Sequence, residues 1–195
     1  MMLVIDCCIR GDDSATRRYY EAYLQAAGKR EIQRLDLTKL HIAPLDGKTL
    51  QKRDALCVKG EFHHEMFHLA RQFRDAEEIL IAAPFWDLSF PALLKVYLEQ
   101  VSVSGLTFGY EKDGRCSGYC KAKRLLYFST CGGYVGERHL GFVYIKAPAA
   151  MLGIHQCAAD ILEGMECGST QREVILEQGI RRLQEEEKRE GDKRK

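Results

Sequence analysis

"EEILIAAPFWDLSFPALLKVYLEQVSV", residues 77–103, decides the fold. Its opening "EEILIAA" (77–83) becomes continuously apolar, the signature of a strand covered on both faces rather than one with a wet side. After "PFWDLSF" a helix is expected over 91–103, because proline favours a helix start and Leu94, Tyr97, Leu98 and Val101 recur at helical spacing. Buried strand, aromatic loop, amphipathic helix is one unit of a parallel α/β sheet.

The same unit recurs on both sides. Upstream, "MLVID" (2–6) reads as a strand, and "SATRRYYEAYLQAAG" (14–28) as a helix with Ser14 as N-cap, Gly28 as stop and Tyr20, Tyr23, Leu24 and Ala27 on one face. "EIQRLDL" (31–37) alternates like a strand near a sheet edge, and helices are expected around 49–56 and 61–75. Downstream, "RLLYFST" (124–130) is a fourth strand, 142–154 a helix bent by Pro148, "QCAADILEG" (156–164) a fifth strand, and 171–190 a closing helix. This predicts a single α/β domain over 1–195, frayed from about 186, with a doubly wound parallel sheet and helices on both faces.

Composition narrows the function. Twenty-nine basic and twenty-eight acidic residues leave no broad cationic face for nucleic acid or anionic membranes. The run "ILIAAPFW" (79–86) is too short to span a bilayer, and the amino terminus lacks a secretory pattern. A cytoplasmic protein with small-molecule or protein partners is expected. The eight cysteines form no C-x-x-C pair and are expected to be reduced thiols.

Three motifs are set aside. "HEMFH" (64–68) has the H-E-x-x-H spacing of zinc proteases, but no third ligand follows, and both histidines fall away from the stripe Phe62, Met66, Leu69, Phe73. "GKT" (47–49) resembles the end of a phosphate-binding P-loop, yet Ile42 stands where its first glycine belongs. No strand is followed by G-x-G-x-x-G. No metal site is expected.

Ligands of doubly wound sheets bind beyond the carboxyl ends of the strands, which selects loops 7–14, 84–90 and 130–139. In the first, Ser14 and Thr16 stand beside helix-start amides suited to phosphate, with Arg10 or Arg17 adding charge. The second places Phe85 and Trp86 at a strand end as walls for a flat ring. The third, "STCGGYVG", has paired glycines that let backbone approach a ligand, with Tyr134 able to cover it.

At these residues the chain resembles the flavodoxin-like, FMN-dependent NAD(P)H:quinone reductase and azoreductase family. "IAAPFWDLSFPALLKVYLEQVSVSGLTFGY" (81–110) is similar to its A-P-[MY]-[YW]-N-F, helix and G-[LV]-T-F-x-Y; "DCCIRGDDSAT" stands for its phosphate loop and "STCGG" for its T-S-x-G-G. The resemblance runs from the first strand to about residue 165 and implies strand order 2-1-3-4-5. It implies that Ser14, Ala15 and Thr16 hold the FMN phosphate near Cys8, and that Phe85, Trp86, Asp87 and Leu88 contact the isoalloxazine. Thr130, Cys131, Gly132 and Gly133 would border its pyrimidine side beside Tyr134. Asp87 replaces the usual asparagine, adding negative charge beside the ring. NADH or NADPH would be the electron donor, a quinone or azo compound the acceptor, and Tyr134 and His139 candidates for proton delivery. A homodimer is also implied. Two alternatives stay open: an FMN-binding electron carrier or redox sensor without NAD(P)H turnover, and a flavin-free binding module.

Overall fold

Alternate residues of the first strand enter two different cores. In the computed structural model, which describes residues 1–28, 31–168 and 171–193 with side chains through residue 189, Leu3 and Ile5 face one cluster while Met2 and Val4 face another. Seven strands are present among the described residues: β1 (Met2–Asp6), β2 (Ile32–Asp36), β3 (Glu78–Ala82), β4 (Phe108–Tyr110), β5 (Cys116–Gly118), β6 (Arg124–Thr130) and β7 (Gln156–Leu162). β2, β1, β3, β6 and β7 form an all-parallel sheet in that order, which is the expected 2-1-3-4-5 winding.

The helices are α1 (Ala15–Ala26), α2 (Gly47–Lys59), α3 (His68–Asp75), α4 (Ala92–Val101), α5 (Leu140–Met151) and α6 (Gln171–Lys193). One face of the sheet is covered by α1 and α6, through Tyr19, Tyr20, Tyr23, Leu176 and Leu183. The other is covered by α3, α4 and α5, through Phe73, Leu94, Tyr97, Val101, Ile145 and Ala149. A satellite cluster of Leu56, Phe67, Ala70, Val103 and Leu106 joins α2 to the outside of α3. All four positions expected on the buried stripe of α4 are buried.

Several elements differ from their sequence reading. The helix expected over 61–75 is α-helical only from His68, because His64 caps a short turn (Glu65–Phe67): its Nδ1 accepts a 3.0 Å hydrogen bond from the Met66 amide. Phe67 is fully buried, whereas Phe62 and Met66 are only partly covered. One histidine of "HEMFH" is thus engaged as a cap. β4 and β5 form an antiparallel hairpin within what reads as a loop. α5 begins and ends earlier than expected, with Pro148 inside its last turn. α6 continues to Lys193, past the point where fraying was expected, and residues 194–195 lie outside the described ones. All eight cysteines are unpaired. Among the described residues no helix is long and apolar enough to cross a membrane.

Candidate active site

β1 pairs with β2 on one side and β3 on the other, so winding reverses at β1 and a crevice opens beyond the strand ends. A cleft of about 100 Å³ occupies it. All three selected loops contribute walls: Arg10, Ser14 and Ala15 from the first, Phe85 and Trp86 from the second, Thr130, Cys131 and Gly132 from the third. Glu166 and Arg172, which the sequence reading did not single out, complete it.

The first loop turns tightly before α1. The Ser14 hydroxyl accepts from the Arg17 amide at 3.4 Å, capping the helix, while the amides of Ala15 and Thr16 have no acceptor among the described residues. Thr16 is fully buried, and its hydroxyl lies 2.7 Å from that of Thr130, tying the first loop to the end of β6. Cys8 lies beneath this wall rather than on it, and burial raises its thiol pKa well above the ordinary range; burial likewise pushes Cys7 and Cys131 up to about 12. These thiols stay protonated at neutral pH and supply no anionic nucleophile.

Arg17, the second arginine expected to add charge for an anion, is paired with carboxylates instead. Its guanidinium is turned under the loop, with Nη2 2.8 Å from Asp6 and 3.1 Å from Asp36, and Nη1 3.2 Å from Asp12. Burial alone would lower its pKa, but Asp6, Asp36 and Asp12 overcome that and hold it above its ordinary value. Asp6, completely buried, also accepts from the Tyr20 hydroxyl at 2.6 Å and the Cys8 amide at 2.9 Å. The network anchors the loop and neutralises Arg17.

The second loop is a reversed turn. Trp86 and Ser89 exchange backbone hydrogen bonds of 3.2 and 2.7 Å, and both residues between them have positive φ: Asp87 at 48° and Leu88 at 63°. Two positive φ values define a type I′ turn, which ordinarily takes Asn or Gly; Leu88 is strained there. The Leu88 carbonyl accepts from the Leu140 amide at 2.8 Å, fixing the turn against α5. The turn brings Phe85 and the half-exposed Trp86 to the cleft, while Asp87 and Leu88 lie on its outer side, absent from the lining.

In the third loop, the Gly132 and Gly133 amides also lack acceptors among the described residues. A Cβ at Gly132 would come 2.9 Å from a Glu166 carboxylate oxygen, the end of a flexible side chain packed against the glycine. Tyr134 is 64% exposed, packs on Gly164 and accepts from the Gln171 side chain at 3.3 Å. His139, the other candidate for proton delivery, stands apart from the cleft lining. It is buried behind Phe85, ring centres 4.9 Å apart, with both ring nitrogens unpartnered, and it does not line the cleft. Burial lowers its pKa, so it is neutral at pH 7.

Comparison with known proteins agrees with this geometry. Residues 1–186 match the Flavodoxin_2 family, described as a flavodoxin-like fold. FMN-dependent NADH:quinone oxidoreductase 2 of Clostridium acetobutylicum is 31% identical over 175 residues, covering 87% of this chain and 86% of the relative. The FMN-dependent NADH:quinone oxidoreductase of Clostridium perfringens is 32% identical over 163 residues, 83% of this chain and 82% of the relative. The solved FMN-dependent NADH-azoreductase of Bacillus anthracis superposes with a TM-score of 0.81 at 20% identity, over 96% of this chain and 97% of that one, a likeness of fold. The chain therefore belongs to the Flavodoxin_2 family, with the FMN-dependent NADH:quinone oxidoreductases among its homologues.

Proposed function

We infer that this protein is an FMN-dependent oxidoreductase that takes two electrons from NADH or NADPH and passes them to a quinone, azo compound or similar acceptor. The observation that carries this reading is the set of unpaired amides on two of the cleft's loops, Ala15 and Thr16 after the first and Gly132 and Gly133 on the third, with Phe85 and Trp86 lining the same cleft. That set fits a phosphate, a flat apolar ring and ring carbonyl oxygens. FMN, when bound, supplies the electron transfer itself.

The protein's own groups bind and orient. Ser14, Ala15 and Thr16 hold the phosphate, and the Thr16–Thr130 hydroxyl contact keeps the two loops in register. Phe85 and Trp86 exclude water from one side of the ring, and Gly132 and Gly133 donate to its carbonyl edge. Tyr134, largely exposed and packed on Gly164 next in the chain to the cleft residue Met165, is the better placed of the two proton-delivery candidates. His139 instead supports Phe85 from behind and is a positioning residue.

The reading includes a cytoplasmic homodimer. Leu88, Leu140, Val143 and Tyr144 are exposed apolar side chains on the turn and helix next to the cleft, which supports a partner there; sedimentation at micromolar concentration checks it. The functional test is anaerobic. Protein loaded with FMN loses the flavin's visible band on addition of NADH or NADPH and regains it with a quinone. A bound flavin that neither nicotinamide bleaches would replace the reductase with the electron carrier or redox sensor, and failure to bind flavin would leave the flavin-free module.

A further inference from the structure

We propose that Arg172, reaching in from the last helix, and Arg10 form a two-arginine clamp on the phosphate monoester of the bound flavin. This rests on the cofactor reading above. A phosphate dianion at the first loop calls for cationic neighbours, and the arginine nearest in sequence to the loop amides, Arg17, is consumed by Asp6, Asp12 and Asp36. Arg10 and Arg172 both line the cleft, and neither has an ion-pair partner among the described residues. Arg172 makes one hydrogen bond, from Nη2 to the Asp13 carbonyl at 3.0 Å, which docks it on the phosphate loop beside Ser14 and leaves its other donors free.

Glu166 stands against Gly132 of the third loop. Asp13, whose carbonyl receives Arg172, lines the cleft and is exposed to solvent. The guanidinium fork matches phosphate oxygens in a way an amide cannot. The clamp also links α6 to the first loop, so cofactor binding and docking of the C-terminal helix reinforce each other.

The test compares FMN with riboflavin, which lacks only the phosphate, by fluorescence titration of purified wild type, Arg172→Gln, Arg172→Lys and Arg10→Gln. The expected result is a loss of FMN affinity of about ten-fold or more in each Gln variant, a smaller loss in Arg172→Lys, and riboflavin affinity unchanged within about two-fold. Equal weakening of both ligands, or no weakening of either, in a variant that melts like wild type would overturn the clamp and leave the cofactor assignment standing. Wild type that binds neither ligand would overturn both.

Discussion

Replacing Arg17 by methionine keeps the bulk of its stem and removes the charge, leaving Asp6 buried without its cation. Asp6 has no exposed side-chain surface and Arg17 has 10%. Removing one partner of such a pair costs about 3 to 5 kcal/mol, because the remaining charge is stranded. The Tyr20 hydroxyl and Cys8 amide still donate to Asp6, which places the expected loss near the lower end, about 3 kcal/mol. For a chain of this size that is a fall in Tm of roughly 6 to 12 °C. The assay is urea and thermal denaturation of flavin-free protein, so that ligand binding does not mask the change. The double variant Asp6→Asn, Arg17→Met removes both charges and is expected to recover at least half of the loss. A single variant that loses less than about 1 kcal/mol, or a double variant no more stable than the single, refutes the argument that this buried pair organises the loop.

Other expectations follow from particular contacts. Gly179→Ala in α6 gains helix propensity but drives its methyl to within 2.8 Å of Leu162 and 3.0 Å of Tyr19; overpacking wins, with a net loss of about 1 to 2 kcal/mol in urea unfolding. Leu88→Gly relieves a left-handed residue and is expected to stabilise by about 0.5 to 1 kcal/mol, again by urea unfolding. His139 has a folded-state pKa below its unfolded one, so its neutral form is favoured by folding. Its stability is complete above the unfolded pKa of about 6.5 and is lost as pH falls below it. Wild type therefore loses stability relative to His139→Phe between about pH 7 and 5, measured as the difference of two urea midpoint profiles. An unchanged difference across that window rejects the burial argument.

The sheet was legible because its strands announce themselves by apolar continuity: the fourth strand of the sequence reading spans the same residues as β6, and "MLVID" is β1. The 108–118 hairpin escaped notice because three-residue strands carry too little periodicity, even with Asp113-Gly114 at its turn. Of the site, the three loops were visible as strand ends, whereas side-chain partnerships were not. Arg17 reads as a free cation until β1 and β2 pair with Asp6 opposite Asp36, which places two carboxylates at its head. His139 follows a glycine-rich, polar stretch that looks solvated, and only α5 docking beside Phe85 and Tyr127 buries it. Arg172 is 159 residues from its carbonyl partner on Asp13, and no local pattern connects them.

The most direct test of the central claim is a crystal structure of the protein loaded with FMN. The account predicts the phosphate at the Ser14–Thr16 amides, the ring against Phe85 and Trp86, and the carbonyl edge at Gly132 and Gly133. Flavin bound anywhere else, or in this cleft with its phosphate at the Gly132 end, would contradict it.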